Sequence, residues 1–290
     1  MTDYTASDLA ELLELEPLEH NIYRGRNRDI GTRNIYGGQV LAQAVVAASR
    51  TVEDDRSIHS MHGYFILPGH LDAPVVYFVD RLRDGGSFTT RRVTGIQHGR
   101  AIFTMSASFH RPEPGPDHQA AMPDVPGPEG LASELDLIRS MSDRIPEPLR
   151  SVLTQDRPLD VRPVDPVDPV DPETREPVRH LWVRALGPVD SPLLHRAFLA
   201  YASDYGLLAA ALQPHGLTWR REDVMVASLD HSLWFHRPVD MNDWLLYTME
   251  SPIACGARGF ARGAFYSRDG RLVASVAQEG LIRRLDPRDD

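Results

Sequence analysis

The chain contains 290 residues, of which 42% are hydrophobic and 25% are charged, and its formal net charge is −10. Such a composition supplies enough apolar residues for one large globular unit or two ordinary domains, and it excludes an intrinsically disordered chain. The acidic balance disfavours generic binding to nucleic acid or to anionic membranes, because both partners attract a basic surface.

The number of cysteines and the composition of the N-terminus indicate the cellular compartment. Cys255 is the single cysteine, so the chain can form no internal disulfide and offers no cysteine cluster for zinc. The N-terminus carries neither a basic nor an apolar segment, and no run of about eighteen apolar residues could span a membrane. We therefore expect a cytoplasmic protein without membrane contacts, resident metal or cofactor.

The first half of the chain predicts one long helix followed by an antiparallel sheet. After a short helix capped by Ser7 and ended by Pro17, the segment 36–39 opens a helix with one apolar face. That face comprises Leu41, Ala44, Val45 and Ala48. Alternating hydrophobic residues, separated by short turns that contain glycine, predict strands at 59–67, 75–82, 88–97 and 101–109.

Residues 116–177 show little strand pattern and predict a linker. An amphipathic helix is expected near 131–141. The segment 164–172 repeats Val-Asp-Pro, which lacks an amide donor at every third position and should form extended polyproline II. A spacer explains this repeat better than a peptide-recognition site does.

The second half repeats the order of the first. Its pattern predicts a helix at 204–212 and strands at 226–236, 243–250, 257–268 and 272–284. Phe65 and Phe235 occupy matching places, 170 positions apart (235 − 65). The repeat predicts an α+β fold of two tandem units, one at 1–115 and one at 178–290.

Most familiar catalytic motifs are absent from the sequence, which has no nucleophile elbow, phosphate-binding loop, zinc-protease helix or dinucleotide fingerprint. His231 and His236 are five positions apart (236 − 231), so a strand would place them on opposite faces, which argues against a shared metal. Cys255 has no neighbouring pattern that would activate a thiol. Asp204 precedes an apolar run and, taken alone, is best interpreted as a helix cap.

Longer strings are more specific than these single residues. The second half contains Tyr201-Ala202-Ser203-Asp204, Leu212-Gln213-Pro214-His215-Gly216, the segment 227–238 and Ala277-Gln278-Glu279-Gly280. The first half contains Gly37-Gly38-Gln39 and Arg91-Arg92-Val93. These motifs, in this order, resemble those of the type II acyl-CoA thioesterases. The resemblance spans nearly the whole chain, and the proline repeat is the exception.

This resemblance implies a double hotdog, in which each of two antiparallel sheets wraps around its own helix and the sheets join into one. It also implies a catalytic trio, Asp204, Ser228 and Gln278, that holds an attacking water. Serine here replaces the threonine common in bacterial relatives and keeps the hydroxyl. We place Gln39 as the first-half counterpart of Asp204, so only one of the two related sites should be active.

Thioester chemistry is compatible with these roles. The carbonyl is electrophilic enough for water to attack directly, provided that the water is oriented and partly deprotonated. Asp204 would be the general base, and the amides of Tyr205 and Gly206, at the start of the predicted helix, would stabilise the oxyanion. The helix dipole would lower the pKa of Asp204, whereas burial would raise it.

Further substrate contacts are predicted from single residues. Trp234 could line an acyl tunnel, although an aromatic residue on a strand more often belongs to the core. Arg258 could bind CoA phosphates, whereas a solvated strand face is its plainer interpretation. The same choice applies to the other clustered arginines, Arg81, Arg83, Arg91, Arg92 and Arg262. Exposed sheet edges predict a homo-oligomer.

Two other functions are open to a hotdog protein. An enoyl-CoA hydratase would need an Asp and His pair on one face, and no histidine follows Asp204 before His215. A non-catalytic acyl-CoA-binding protein would not need Ser228 and Gln278, yet both are present. The sequence therefore favours hydrolysis of fatty acyl-CoA thioesters.

Overall fold

The structure, a computed structural model, describes residues 4–147, 149–168, 172–218, 221 and 223–285. The first-half elements are α1 (Ala6–Leu12), β1 (Glu16–Glu19), β2 (Ile22–Gly25), α2 (Gly37–Ser49), β3 (Ser57–Phe65), β4 (Val75–Asp84), β5 (Phe88–Gln97) and β6 (Arg100–His110). The middle segment contains α3 (Glu134–Ser140), α4 (Leu149–Leu153) and β7 (Leu159–Pro163). The second-half elements are β8 (Val178–Ala185), α5 (Pro192–Ser203), α6 (Ala209–Leu212), β9 (Val224–Ser228), β10 (Asp230–Phe235), β11 (Leu245–Cys255), β12 (Arg258–Ser267) and β13 (Leu272–Arg284).

In these parts of the chain, thirteen strands form one continuous sheet. Its order is β1-β2-β4-β5-β6-β3-β10-β13-β12-β11-β8-β7, and β9 adds to β13. The two halves meet where β3 pairs with β10, for example at Met61 and Leu233. The predicted double hotdog, with two helix-and-sheet units joined into a single sheet, is confirmed.

Strand pairing repeats between the halves in the predicted register. His62 pairs with Ser106 where β3 meets β6, and Ser232 pairs with Ala277 where β10 meets β13. The two offsets are 170 (232 − 62) and 171 (277 − 106). The internal repeat seen in the sequence is thus a repeat of hydrogen-bonded structure.

The central helices α2 and α5 pack against each other inside the sheet. Helix α2 is apolar on nearly all sides and buries most of its residues, as expected for a helix enclosed by a hydrophobic core. Gly38 permits the contact, because a Cβ there would lie 2.4 Å from the carbonyl oxygen of Tyr201. The N-terminal end of α2 therefore meets the C-terminal end of α5.

The predicted helix at 204–212 is wrong. Ser191 caps α5 by accepting a hydrogen bond from the amide of Leu194, and Pro192 occupies the first turn, where a missing amide costs nothing. The helix ends at Asp204, and Gly206 has a positive φ of 74° that no continuing helix allows. Only the short α6 forms within the apolar run that follows.

Smaller differences lie near the N-terminus and in the middle segment. Thr5, not Ser7, caps α1, in a capping box with Asp8. Strands β1 and β2 were not predicted, because β1 is fully exposed and lacks alternation. The segment 116–177 holds two helices and β7, which pairs with β8. The predicted polyproline II repeat includes residues 169–171, outside the described ranges; the unit boundaries stay a prediction.

Among the described residues, no helix is long and apolar enough to cross a bilayer.

Candidate active site

Three polar side chains from distant parts of the second half meet at one point. Nε2 of Gln278 lies 3.0 Å from Oδ1 of Asp204 and 2.6 Å from Oγ of Ser228, and it donates to both oxygens. The amide nitrogen has two hydrogens, so these two bonds use both. The structure therefore brings together the three residues that the sequence resemblance put forward.

The position of each of these side chains follows from where its residue lies in a helix or a strand. Asp204 directly follows the last turn of α5, and Ser228 is the last residue of β9. Gln278 lies on β13, where alternation turns it to the inner face and leaves it 1% exposed. Strand β9 pairs with β13 at Ser228 and Gly280, which aligns the hydroxyl with the amide.

The helix N-terminus at the site belongs to α2, not to the second half. The backbone amide of Gly38 donates a hydrogen bond to Asp204. A Cβ on Gly37 would lie 2.7 Å from Oδ2 of Asp204, so only glycine leaves room for the carboxylate there. The predicted oxyanion site at Tyr205 and Gly206 is wrong, since the amide of Tyr205 already donates to the carbonyl of Ala202 at the end of α5.

Burial dominates the electrostatics of Asp204. The carboxylate is enclosed by protein and raised in pKa to about 6 by loss of solvation, while hydrogen bonds from Gln278, Gly38 and Ser228 act in the opposite direction. Asp204 is therefore mostly ionised at neutral pH and still basic enough to accept a proton. Both properties suit a general base.

A cavity of 1220 Å³ opens onto the trio. Asp204, Ser228 and Gln278 all line it, together with the two other predicted contacts, Tyr205 and Gly206. The middle segment supplies an apolar part of its wall, comprising Leu137, Ile138, Met141, Val152 and Leu153. An apolar pocket with a few convergent polar groups has the composition of a small-molecule site.

The middle segment is tied to the site by three side chains. Glu134 of α3 accepts hydrogen bonds from the hydroxyl of Tyr205 and from Arg157, whose guanidinium lies 2.6 Å from the carboxylate. Arg157 also donates to the hydroxyl of Tyr205. We call these three residues the Glu134–Arg157–Tyr205 cluster. It joins the segment between the two halves to the residue that follows Asp204.

The other predicted substrate contacts lie elsewhere. Among the described residues that line the cavity, Trp234 and Arg258 are absent. Alternation along β10 turns Trp234 to the outer face, where it contacts His62 edge-on, while Arg258 pairs with Glu279 at 3.0 Å. Each of the two side chains points away from the helices, so neither contacts this cavity, and their roles in substrate binding stay predictions.

The clustered arginines form hydrogen bonds and ion pairs within the first half of the chain. Arg91 is buried and bonded to Thr51 and Asp84, and Arg92 pairs with Asp80. The arginines that do line the cavity were not predicted, since they come from separate segments: Arg28, Arg139, Arg157, Arg175 and Arg179. Their sequence neighbours give no local signal of a shared pocket.

The first half lacks an equivalent of the trio. By the strand register, Ser228 corresponds to Ile58 (228 − 170) and Gln278 to Ala107 (278 − 171), both buried and apolar. Gln39 does not correspond to Asp204, because it lies in the first turn of α2, whereas Asp204 follows the end of α5. The side chain of Gln39 instead binds the backbone of Arg26 and Arg28.

Comparisons of the whole chain agree with this geometry. The sequence profile of a family described as acyl-CoA thioesterase matches residues 151–281, and that of the acyl-CoA thioesterase N-terminal domain matches residues 24–110. Acyl-CoA thioesterase 2 of Haemophilus influenzae is 39% identical over 280 residues, which are 96% of this chain and 97% of that protein.

Solved structures are similar over the same length. The crystal structure of an acyl-CoA thioesterase II from Mycobacterium marinum is 40% identical, with a TM-score of 0.77 over 95% of this chain and 98% of that one. A hotdog-fold protein from Alicyclobacillus acidocaldarius gives a TM-score of 0.76 over 96% of this chain and 98% of its own. At 19% identity, that likeness concerns the fold alone.

Proposed function

Because the chain belongs to the acyl-CoA thioesterase family and is a thioester hydrolase that cleaves acyl-CoA, we propose that Asp204, Ser228 and Gln278 are its catalytic residues. The observation that carries this proposal is their convergence, with Gln278 within 3.0 Å of Asp204 and 2.6 Å of Ser228 on one cavity wall. No covalent intermediate is required. Water is the nucleophile, and the trio fixes its position.

Asp204 takes the proton of the attacking water as the new bond to the carbonyl carbon forms. Ser228 accepts from Gln278, so its own hydroxyl hydrogen is available to Asp204 or to the water. When the tetrahedral intermediate collapses, the carbon–sulfur bond breaks and the proton on Asp204 passes to the CoA sulfur. The carboxylate is thereby regenerated.

The oxyanion is stabilised by the N-terminal end of α2. The amide of Gly38 donates to Asp204, and those of Gln39 and Val40 donate to the carbonyl of Tyr36, so this helix end acts on the developing oxyanion through the positive potential of its dipole. Gly37 and Gly38 bring this backbone against Asp204. The site is thus composite, with its acid–base residues from the second half and its electrophilic backbone from the first.

The substrate is a fatty acyl-CoA. An acyl chain fits the apolar cavity wall of the middle segment, and the cavity arginines, such as Arg175 and Arg179, supply positive charge for CoA phosphates. A hydratase is disfavoured because no histidine is among the described residues that line the cavity. A protein that only binds acyl-CoA is disfavoured as well, because it would not need a carboxylate with a raised pKa that is hydrogen-bonded to an amide and a hydroxyl.

Two further features belong to this proposal. The protein acts in the cytoplasm, since its single cysteine, Cys255, is free and exposed, as a reducing compartment permits. It forms a homo-oligomer, because β1 and β7 leave unpaired edges at the two ends of the sheet. Each edge can add a strand from another copy.

The experiment measures release of CoA thiol from palmitoyl-CoA by wild type and by Asp204→Asn, Ser228→Ala and Gln278→Ala. We expect kcat to fall by about 10² to 10⁴ for Asp204→Asn and by at least about tenfold for the other two, with all three variants still folded at the assay temperature. Ser106→Ala, on an exposed position of β6, is the matched control and should keep wild-type activity. Full activity of Asp204→Asn would remove the proposed base.

A further inference from the structure

One buried side chain beside the trio has no role in the scheme above. His231 lies on β10, is 0% exposed, and is not among the described residues that line the cavity. Its Nε2 lies 2.8 Å from Oγ of Ser203, the residue before Asp204. A fully buried imidazole that contacts two functional elements calls for a physical explanation.

His231 and Gln278 are neighbours across two strands. Ser232 pairs with Ala277 in the β10–β13 ladder, so the next position brings His231 opposite Gln278, and both side chains point inward. Opposite residues have Cβ atoms about 5 Å apart. Nδ1 of His231 and Oε1 of Gln278 are both buried, and neither atom has a hydrogen-bond partner among the described residues, although the two side chains are close enough for Gln278 to act on the imidazole.

The orientation of the Gln278 amide is fixed by its other contacts. An ionised Asp204 only accepts hydrogen bonds, so the NH₂ group of Gln278 must face it, and the second hydrogen reaches Ser228. Oε1 is then directed away from the trio, towards the imidazole. An acceptor at this position requires that Nδ1 of His231 carry the hydrogen.

Ser203 lies on the other side of the ring. Its Oγ is 2.8 Å from Nε2 of His231 and 2.9 Å from the carbonyl oxygen of Ala200, so a hydrogen on Nδ1 requires the single hydroxyl hydrogen to turn from Ala200 to Nε2. The inferred chain of bonds then runs from Ser203 through His231 and Gln278 to Asp204. Ser203 and Asp204 are consecutive residues, so the network closes on the end of α5.

We propose that His231 is a positioning residue that holds the Gln278 amide in its working orientation by donating from Nδ1 to Oε1. This proposal rests on the proposed role of the trio. Without the imidazole, the amide can rotate and present Oε1 to Asp204, which repels the carboxylate and releases Ser228. The water then loses one of the groups that orient it.

Burial keeps this arrangement constant over the working pH range. It lowers the pKa of His231 to about 3, and the contact with Gln278 only partly opposes this, so the imidazole stays neutral. The other titratable groups that face Asp204 are Tyr36 of the α2 N-terminus and Tyr247 of β11. Burial raises the pKa of both well above 10. Arg179 of β8 faces Tyr247, and burial lowers the pKa of its guanidinium.

Three substitutions separate positioning from packing. His231→Asn keeps a donor at the position of Nδ1, His231→Gln keeps only a group at the position of Nε2, and His231→Leu keeps neither. We expect kcat to fall about tenfold or more in the Gln and Leu variants, the equivalent of about 1.4 kcal/mol, with KM within about threefold of wild type. The Asn variant should recover most of the rate.

The pH profile gives a second readout that a packing defect would not move. Gln278 lowers the pKa of Asp204, so losing its donated bond raises that pKa and shifts the acid limb of kcat/KM to higher pH. The shift should appear in the Gln and Leu variants and not in the Asn variant. Equal losses in all three variants, or an unmoved limb, would overturn the proposal.

The wild-type protein offers a test that needs no variant. Nitrogen-15 NMR of the histidine rings should show His231 as the neutral Nδ1–H tautomer from pH 8 down to about 4, as its lowered pKa requires. A hydrogen on Nε2 would contradict the inference. This tautomer does not depend on catalysis, whereas the Asp204→Asn and Gln278→Ala rates test the trio, so the two failures are distinguishable.

Discussion

The raised pKa of Asp204 affects both its basicity and the folding free energy of the protein. Its carboxylate keeps three hydrogen bonds, and yet loss of solvation lifts its pKa from 3.8 to about 6. A folded protein that binds this proton more tightly than the unfolded chain is stabilised at low pH, and it loses that advantage as the pH rises from about 4 to 6. The Asp204 carboxylate is therefore kept ionised at neutral pH at a cost in folding free energy.

Asp204→Asn should consequently be more stable than wild type at pH 8. The pKa difference corresponds to at most about 3 kcal/mol, and the cavity still gives this side chain some access to solvent, so we expect a rise in Tm of a few degrees. Thermal unfolding of both proteins at pH 8 and at pH 4 measures it. The gain should vanish at pH 4, where both side chains are neutral, and a gain of equal size at both pH values would contradict the linkage.

The residues of the trio could be named from the sequence only through the family resemblance. Ser228 and Gln278 lie in strands whose pattern is ordinary, and neither spacing nor composition relates them to Asp204. The spacing of His231 and His236 argued only against a shared metal and gave no sign of a contact with Gln278. Contacts across strands depend on register, which a single sequence gives only when a repeat such as Phe65 and Phe235 exposes it.

At the level of elements, the strands were largely predictable and the second helix was not. Period-two alternation is strong in β4 to β6 and β11 to β13, where one face is buried. The helix was predicted too late in the chain because residues 207–212 are all apolar. The sequence Ser191-Pro192 carries the cap and first-turn signals that mark the actual start of α5. That shift also placed the expected helix N-terminus at Tyr205 and Gly206, whereas the helix N-terminus beside Asp204 is that of α2.

The N-terminal end of α2 provides the element-scale prediction. Gly37→Ala places a Cβ 2.7 Å from Oδ2 of Asp204 and should lower kcat at least about tenfold with little loss of stability, because the atoms it meets are side-chain ends. Gly38→Ala meets the backbone oxygen of Tyr201 at 2.4 Å and should cost about 1 to 3 kcal/mol of stability.

Steady-state rates and urea unfolding of both variants distinguish these effects. Gly86→Ala is the control, since nothing lies within 4 Å of a Cβ at this turn position. An unstable Gly37→Ala with a normal rate per folded molecule would show that α2 approaches α5 without contributing to the reaction.

At the scale of the whole molecule, the proposed active site lies where the two halves of the chain meet. The β3–β10 pairing makes one sheet of two, and the contact of α2 with α5 brings a first-half backbone to second-half side chains. The proposed site is therefore composite, and the matching positions of the first half are the buried apolar residues Ile58 and Ala107. The middle segment then closes the remaining cavity from outside the repeat.

That closure depends on the Glu134–Arg157–Tyr205 cluster, and Tyr205→Phe tests it. Losing the hydroxyl leaves the ion pair of Glu134 with Arg157 but removes the hydrogen bonds that both residues make with the side chain beside Asp204. We expect KM for palmitoyl-CoA to rise about threefold to tenfold, the effect of a hydrogen bond of about 1 kcal/mol, with kcat nearly unchanged. The rise should be smaller for butyryl-CoA, whose short chain cannot reach the apolar wall.

Tyr64→Phe, at a tyrosine 62% exposed on the outer face, is the matched control. Equal changes in KM for both substrates would show that the cluster does not shape the acyl site.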